Sequence, residues 1–438
     1  MFIKSYFIVI FSFFSCFTLN AQQEKGIYGL ENWLDIWAEF TPESQVYKTP
    51  TQILSGNITS DTKLYKKETY LLLGNVFVTD STSLTIEPGT VILGDYKTKG
   101  SLVVSNGSKI IAIGTQTDPI IFSSSRPLKK KGDWGGIFIL GNAPLNKTGE
   151  VWELDFGLNP STPEIMNYGG KNIASDSGVI KYVRIEYAGK RTKQYGYFNG
   201  LTLAGVGNKT VIENVMVTYC QGNSFAIIGG DTHLSQVVAF RSYANDFIFN
   251  NGAKSLLTNS LAVKSPYYTS SGGASSIYLA SNTADEDEMD PERRRTTLTA
   301  ENITLLNLSD DLKTAIEIGL VNEALYVEKG TSFSIQKSVF SGFSPAVILS
   351  SDIDIDTDSL NKMEFSNMYF NNCKGNIFTN GESNNEDLEN WYGNGLFKNV
   401  YSKGADFETF IETLNIHNLD FRLRINKIIA INLLDDDE

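Results

Sequence analysis

A short phrase that recurs about every 22 residues is the feature of this sequence that most constrains its fold. Residues 179–187 can be written above residues 211–219 so that apolar positions coincide, and further shifts of 22 and 23 residues extend the match to residue 262. The matched positions are Ile180/Ile212/Leu234/Leu257, Val183/Val215/Val237, Ile185/Val217/Ala239/Ala262, Asn223/Asn245 and Phe225/Phe247. A period this short excludes helical hairpin repeats and is typical of one coil of a β-solenoid.

The earlier part of the chain has the same rhythm. From residue 70, three-residue apolar segments follow one another at short intervals and are separated by Gly, Pro or Asn. Residues 84–86 and 91–93 flank Glu87-Pro88-Gly89-Thr90, a tight turn in which Pro fixes φ and Gly accepts a positive φ. The pattern predicts a three-sided coil. We therefore predict an all-β fold, a single-stranded parallel β-helix of about 22 residues per coil.

The first residues have the pattern of an export signal. Lys4 precedes an apolar run over residues 6–14, and Leu19-Asn20-Ala21 offers a small-residue cleavage site. The run is too short to span a bilayer, which favours removal after Ala21. Lipidation at Cys16 is the alternative, although the preceding residues match a lipoprotein box only loosely. We expect an exported protein that is extracellular or on the outer cell surface, with the periplasm as a further possibility.

The chain divides into four parts. After the signal peptide (1–21), a cap segment (22–60) contains Leu30, Trp33, Leu34, Trp37 and Phe40 at the spacing of a short amphipathic helix, which would cover the open end of the solenoid. The β-helix with its loop insertions follows (61–410), and a C-terminal cap with an acidic tail ends the chain (411–438).

Several stretches within the β-helix interrupt the repeat or vary it. A basic loop (126–131) and a polar excursion (142–176) are predicted to be solvated, with a ligand role as the alternative. Five asparagines are expected at one corner of the coil, because Asn tolerates the left-handed conformation and stacked amides can bond from coil to coil. They are Asn214, Asn259, Asn302, Asn367 and Asn399.

Charge and cysteine content exclude some classes of partner. The net charge of −13 argues against nucleic acid and anionic membranes, and mildly against an unassisted polyanionic sugar substrate. No later segment approaches about 18 uninterrupted apolar residues, so no transmembrane segment is expected in the mature chain. Cys220 and Cys373 lie several coils apart, too far for a disulfide, and are predicted to be small buried hydrophobes.

Catalytic and metal-binding patterns are weak. The two histidines, His233 and His417, lie too far apart along the repeat to act together, and neither is in a triad or zinc-like setting. Asp352, Asp354, Asp356 and Asp358 alternate as in a calcium loop but lack the Gly and Glu of an EF-hand. A solvated edge is the preferred interpretation of these aspartates, and a calcium site is the alternative.

Polysaccharide lyases and hydrolases include parallel β-helices, so their residue patterns were sought. Arg184, Arg241, Asp231 and Asp246 could share one face and supply a base with neighbouring carboxylates. Tyr187 and Tyr219, which follow equivalent strands of the repeat, are added as candidate binding residues. Together the six form the candidate ligand site.

Four phrases resemble a family of exported right-handed parallel β-helix proteins from Gram-negative bacteria that use type IX secretion. They are residues 84–92, Gly132-Asp133-Trp134-Gly135-Gly136, residues 181–189 and Asn199-Gly200-Leu201-Thr202-Leu203. The resemblance implies a right-handed coil and a surface or extracellular location, and it brings no established enzymatic activity. Relatives typically place acids where this chain has neutral residues, and only Asp246 is kept. The neutral residues are Gly222, Asn223, Ala226, Ala244, Asn245 and Ile248.

Three functions remain open at this point. The preferred hypothesis is a monomeric, exported, non-catalytic β-helix that contacts a glycan or a cell-surface partner, with no cofactor except possible calcium. The alternative is a polysaccharide lyase or glycoside hydrolase acting in a groove on the β-helix, an expectation that rests on fold analogy. A structural surface-layer component is the third.

Overall fold

The computed structural model describes residues 25–270, 274–281, 294–374, 377–379 and 385–428. The predicted signal peptide, Cys16 and the acidic tail lie outside the described residues. A parallel sheet of 29 short strands winds through most of the chain, and this confirms the predicted all-β parallel β-helix.

Most strands are three to five residues long. In chain order they are β1 (Gln52–Ile58), β2 (Thr62–Leu64), β3 (Thr69–Val78), β4 (Ser83–Ile86), β5 (Val91–Gly94), β6 (Ser101–Val104), β7 (Lys109–Ile113), β8 (Ile120–Ser124), β9 (Gly136–Leu140), β10 (Trp152–Glu153), β11 (Asn167–Tyr168), β12 (Gly178–Glu186), β13 (Arg191–Thr192), β14 (Gly196–Tyr197), β15 (Leu201–Ala204), β16 (Val211–Thr218), β17 (Phe225–Ile228) and β18 (Asp231–Ser235). They continue with β19 (Val238–Phe240), β20 (Phe247–Asn250), β21 (Lys254–Thr258), β22 (Leu261–Lys264), β23 (Ile277–Leu279), β24 (Thr296–Glu301), β25 (Thr304–Asn307), β26 (Leu325–Val327), β27 (Thr331–Gln336), β28 (Val339–Ser341), β29 (Val347–Leu349), β30 (Met363–Ser366), β31 (Tyr369–Asn371), β32 (Ile377–Thr379), β33 (Val400–Ser402), β34 (Phe410–Glu412) and β35 (Asp420–Leu423).

The described helices are short and lie between coils or near the ends. They are α1 (Leu312–Glu317), α2 (Thr357–Leu360), α3 (Glu386–Tyr392) and α4 (Asp406–Thr409), with 3₁₀ turns at Pro42–Ser44, Pro163–Met166 and Gly395–Phe397. No helix among the described residues is long and apolar enough to cross a membrane.

Each coil contributes to three parallel ladders, which we call faces A, B and C. Face A contains β2, β4, β7, the first halves of β12 and β16, and then β18, β21, β24, β27 and β30. Face B contains the first halves of β1 and β3, then β5, β8 and the second halves of β12 and β16, and then β19, β22, β25, β28, β31 and β33. Face C contains the second halves of β1 and β3, then β6, β9, β15, β17, β20, β23, β26, β29 and β32. The registers Ile180↔Ile212, Ile212↔Leu234 and Leu234↔Leu257 confirm the sequence repeat.

Left-handed backbone conformations mark the corner between faces A and B. Asn214, Asn259, Asn302 and Asn367 have φ between 44° and 57°, as predicted. The fifth expected position is wrong by one residue, because the register Tyr369↔Val400 places Lys398, with φ 52°, in line with Asn367.

Three apolar clusters stabilise the solenoid. The largest fills its interior with inward-facing side chains of all three faces. A second lies on the outside of face B, where outward residues such as Met216 and Val238 are fully buried. A third lies on the outside of face C, where Phe138 is covered by the excursion over residues 142–176. That excursion is therefore a packed cover, contrary to the prediction of a solvated loop, because Leu154, Leu158 and other apolar residues of it are buried.

The predicted N-terminal helical cap is wrong. Residues 25–51 contain only turns and one 3₁₀ turn, and they form an extended N-terminal strap along face B. Gly26 N donates to Lys337 O at 2.8 Å in a late coil, whereas Thr51 N donates to Thr69 O at 2.8 Å beside the first coil. The apolar stripe that suggested a helix instead inserts Leu34, Trp37 and other side chains into the cluster outside face B. The helical spacing corresponds to a single turn over residues 33–37, in which Ala38 N donates to Leu34 O at 3.1 Å, and this turn does not continue into a helix.

The C-terminal residues also cover a side of the solenoid rather than its end. β34 and β35 form an antiparallel hairpin, and Phe421 packs against Phe40 of the strap with ring centroids 6.1 Å apart. Arg422 donates to Gly29 O at 2.8 Å. Near the last coils it is α3 that contributes Leu388 and Tyr392 to the interior core. The strap and the β34–β35 hairpin therefore meet on face B.

Candidate functional site

A cleft of about 560 Å³ opens on the corner between faces B and C. Turns that leave face B in successive coils supply most of its lining, and the strap supplies one wall. The lining residues are Glu43, Lys129, Lys130, Lys131, Tyr187, Tyr219, Gln221, Tyr243 and Tyr268. We call it the Lys–Tyr cleft.

The floor of the cleft is a ladder of side chains that the coil geometry places in line. Tyr187 and Tyr219 directly follow β12 and β16 in left-handed conformations, and their rings stack with centroids 5.6 Å apart. Arg241 occupies the same corner in the next coil, where its guanidinium donates to the Tyr219 hydroxyl at 3.0 Å and lies over the Tyr268 ring. Burial raises the pKa of Tyr219 and Tyr187, so both phenols stay protonated at neutral pH.

The basic loop (126–131) forms the opposite rim. Asp133, only 1% exposed, folds the loop back by accepting from Arg126 Nε at 2.7 Å and from Lys130 N at 2.8 Å. The Ser124 hydroxyl donates to the same carboxylate at 2.7 Å. This buried anchor fixes the turn from which Lys129 and Lys131 reach tyrosine rings, while residues 127, 128 and 130 of the loop are exposed, as predicted for a solvated loop.

Lys131 is the most deeply placed cation of the cleft. Its ammonium donates to Tyr268 O at 2.7 Å and lies 5.0 Å from the Tyr268 ring centroid and 5.4 Å from that of Tyr243. Burial, with a smaller contribution from the nearby Lys264 charge, lowers the pKa of Lys131 to about 8. None of the loop's three lysines forms an ion pair within the described ranges, so their charge is open to a ligand.

The strap closes the third side. Lys129 Nζ donates to Gln45 O at 2.7 Å and lies 5.2 Å from the centroid of the Tyr47 ring. The Glu43 carboxylate, also from the strap, lines the cleft beside Tyr187. The cleft therefore combines aromatic faces, open ammonium groups and one carboxylate.

Comparison with known proteins identifies the family of this chain. Residues 56–412 match the family model described as the pectate-lyase-like β-helix domain. The chain belongs to this family. None of the curated proteins compared matches it. Among solved structures, it is similar at 11% identity to the crystal structure of alginate lyase from Paenibacillus sp. str. FPU-7, with a TM-score of 0.21 over 74% of this chain and 91% of that chain.

In this pectate-lyase-like β-helix, the six candidate residues do not converge on one point. Tyr187, Tyr219 and Arg241 meet at the cleft floor, whereas Arg184 lies under the strap beside Glu186. The other two candidates, Asp231 and Asp246, do not line the cleft.

Asp231 and Asp246 are held by cations of their own. Both terminal nitrogens of Arg294 donate to Asp231 Oδ2, at 3.0 and 3.1 Å, where the start of β18 faces residues near Pro144. Asp246 is fully buried and pairs with Lys264 at 3.8 Å. The expectation that Arg184, Arg241, Asp231 and Asp246 share one binding face is therefore wrong.

The alternating aspartates Asp354 and Asp356 interact with different partners. Asp356 caps α2 by accepting from Ser359 N at 2.8 Å, and Asp354 pairs with Lys329 at 3.8 Å. Within the part of the chain that the structure describes, no group of three or more His, Cys, Asp or Glu side chains is arranged to hold a metal ion. The calcium alternative for these aspartates stays a prediction.

Amides occupy the positions where acids were noted as missing. Asn223 Nδ2 donates to Asn199 Oδ1 at 2.8 Å, and Asn245 Nδ2 donates to Asn223 Oδ1 at 3.0 Å. The stacked amides that were expected at the Asn214 corner are therefore better formed here. These residues join adjacent coils, and we assign them a structural role.

Sequence reasoning missed Lys131, Tyr243, Tyr268 and the strap residues Glu43 and Tyr47. The sequence did contain a signal for three of them. Lys131, Tyr243 and Tyr268 each lie in a turn that connects a strand of face B to the following strand of face C. Aligning those turns by the repeat would have placed lysine and tyrosine at neighbouring corners. The contribution of the strap could not be found this way, because it crosses the coils from outside the repeat.

Proposed function

We propose that this pectate-lyase-like β-helix binds an acidic polysaccharide in the Lys–Tyr cleft. The observation that carries the proposal is the basic loop itself: its three lysines have no ion-pair partner among the described residues, and two of them lie over tyrosine rings, in a protein of net charge −13. Ammonium groups that are partly removed from water favour an anionic partner, and tyrosine rings offer flat amphipathic surfaces to a sugar. The net charge of the protein argued mildly against such a ligand, but the local arrangement of charge supports it.

The proposal is tested with Lys131→Met, which keeps the length of the side chain and removes its charge. We expect affinity for a polygalacturonate oligosaccharide to fall about tenfold, because one desolvated charge contact is lost. Wild-type affinity should also fall as the pH rises through about 8, where Lys131 loses its proton. Both are measured by titration calorimetry.

The matched control is Lys147→Met. Lys147 lies 4.1 Å from the Trp152 ring centroid, so it is also a lysine on an aromatic ring, but it is outside the cleft. Equal losses for both variants would indicate general attraction to a polyanion. Unchanged affinity after Lys131→Met would contradict the proposed site.

Cleavage of the polysaccharide by β-elimination is a second candidate. It is favoured by the lowered pKa of Lys131, which makes a neutral amine accessible as a base, while the protonated phenol of Tyr219 stands in the same cleft. The appearance of unsaturated chain ends that is lost in Lys131→Met would support a lyase. Binding without chain shortening would support the non-catalytic alternative.

We also propose that the protein is exported to the cell surface or the medium. The support is the leader-like sequence of residues 1–21 and the resemblance to type IX-secreted proteins. Mass analysis of the N-terminus should show a chain that begins at Gln22. A chain retained in the cytoplasm with its leader intact would refute this.

A further inference from the structure

Two charged residues on the outside of face B are buried although their positions point away from the core. Arg184 and Glu186 alternate with the inward-facing Val183 and Ile185 on β12, yet they are only 7% and 1% exposed. Outward positions of a strand remain accessible unless another segment covers them. The strap is that segment at this point.

Tyr47 of the strap occupies the space over these two residues. Its hydroxyl lies 2.9 and 3.0 Å from the Glu186 carboxylate oxygens, to which it donates, and accepts from Arg184 Nη2 at 3.3 Å. One hydroxyl that donates to a carboxylate and accepts from a guanidinium has the hydrogen-bonding pattern that a sugar hydroxyl would have there. Tyr47 thus occupies a polar subsite from within the molecule.

The subsite has more hydrogen-bonding capacity than Tyr47 uses. Thr218 Oγ1 is buried without a hydrogen-bond partner among the described residues, and Arg184 Nε has only its 3.4 Å approach to Glu186 Oε1. Thr218 is in register with Glu186 on the next coil, so its hydroxyl borders the same space. Buried polar atoms without partners are destabilising, which means that a ligand with several hydroxyls could satisfy more of this surface than a single phenol does.

The strap is lightly held around Tyr47. Val46 is 94% exposed, whereas Phe40 and Trp37 earlier in the strap are buried in the cluster outside face B. Besides the Tyr47 hydroxyl, this part is held to the coils by Lys129, whose ammonium donates to Gln45 O and lies over the Tyr47 ring, and within the strap by the bond from Gln45 Nε2 to Glu39 Oε2 at 2.7 Å. Lys129 also lines the Lys–Tyr cleft, so an anionic ligand there competes with the Gln45 carbonyl and the Tyr47 ring for the same ammonium.

We propose that Tyr47 is an autoinhibitory plug: when an acidic glycan in the cleft recruits Lys129, the strap around Tyr47 lifts and Arg184 and Glu186 bind the hydroxyls of the next sugar. The inference rests on the proposed function, because it requires a glycan in the Lys–Tyr cleft. It adds a concealed subsite and the movement that opens it.

The test compares Tyr47→Ala with the wild type by calorimetric titration of an oligogalacturonate. Removing the plug should tighten binding about fivefold or more, because the open form no longer has to be populated against the Tyr47 contacts. A second substitution, Glu186→Gln in the Tyr47→Ala chain, should remove this gain. Tyr65→Ala is the matched control, since Tyr65 also lies near lysines but on the first coils, and its affinity should not change.

Unchanged or weaker binding by a folded Tyr47→Ala variant overturns the plug while leaving the proposed function in place. Absence of binding by every variant and by the wild type overturns the proposed function, and the plug with it. If Tyr47→Ala does not fold, Tyr47→Phe replaces it, with a smaller gain in the same direction. In the wild type, amide hydrogen exchange over residues 43–48 should become faster when the oligosaccharide is bound, and equal or slower exchange counts against the movement.

Discussion

Two buried ion pairs lie close to the Lys–Tyr cleft and are buried by different means. Arg184 and Glu186 approach to 3.4 Å on the outside of face B and are covered by the strap. Lys264 and Asp246 approach to 3.8 Å and are 3% and 0% exposed. Lys264 ends β22 and Asp246 precedes β20, so the second pair is enclosed by the coils themselves.

The difference shows which charges the fold needs and which it can expose. Lys264 also donates to Ala244 O at 2.7 Å, and Asp246 accepts from the Ser242 hydroxyl, so this pair is fixed within consecutive turns. The pair under the strap depends on Tyr47, a residue of an otherwise exposed segment. The Lys264–Asp246 pair, which the coils enclose, therefore has a structural role. The Arg184–Glu186 pair, which only the strap covers, is available for a functional role if the strap moves.

Breaking the enclosed pair should have the largest effect. Lys264→Met leaves the Asp246 carboxylate buried without its cation, and we expect the free energy of unfolding to fall by about 3 to 5 kcal/mol, measured by denaturant titration. Burial already raises the pKa of Asp246, so the variant should regain stability at low pH, where the carboxyl is neutral. The double variant Lys264→Met with Asp246→Asn is the control and should recover much of the loss. A single variant as stable as the wild type would show that the pair is not structural.

Asp406 extends the comparison to a half-buried carboxyl that has no cation partner within the described residues. It accepts from the Ser341 hydroxyl at 3.1 Å, and burial raises its pKa to about 6. The folded state therefore holds this proton to a higher pH than the unfolded state does, so stability is greatest below pH 4 and is lost as the pH rises to about 6. We expect this one group to contribute a loss of about 2 kcal/mol over that interval. Asp406→Asn should remove this part of the pH dependence, and an unchanged profile would contradict the assignment.

The repeat made most of the solenoid predictable from the sequence. Apolar side chains that alternate along a strand define the inward direction, so the matches at Ile180, Ile212 and Leu234 determined both register and core. The outer layers were not predicted. The sequence did contain a signal for these layers. In β6, β9 and the second half of β16, both the inward and the outward positions are largely apolar, which is typical of strands that are covered on both sides.

The candidate site was predictable only in part, for a physical reason. Tyr187, Tyr219 and Arg241 follow the repeat, so their alignment was visible in the sequence. The other walls of the cleft come from segments that do not follow the repeat. They are the basic loop, which Asp133 folds back, and the strap, which carries Glu43 and Tyr47. The positions of such segments depend on tertiary contacts far apart in the chain, which periodicity does not encode.

An exposed pair on face A provides the smallest expected effect and a reference for the two buried ones. Lys181 and Glu213 are in register on adjacent coils and approach to 3.0 Å, as closely as many buried pairs, but about a third of each side chain is exposed. Water screens the attraction at such a site, so a double-mutant cycle with Lys181→Met and Glu213→Gln should give a coupling of about 0.5 kcal/mol that decreases with added salt. A coupling as large as that of Lys264 with Asp246 would mean that distance, and not enclosure, determines how strongly these pairs stabilise the coils. The distinction drawn between the coil-enclosed and the strap-covered pair would then fail.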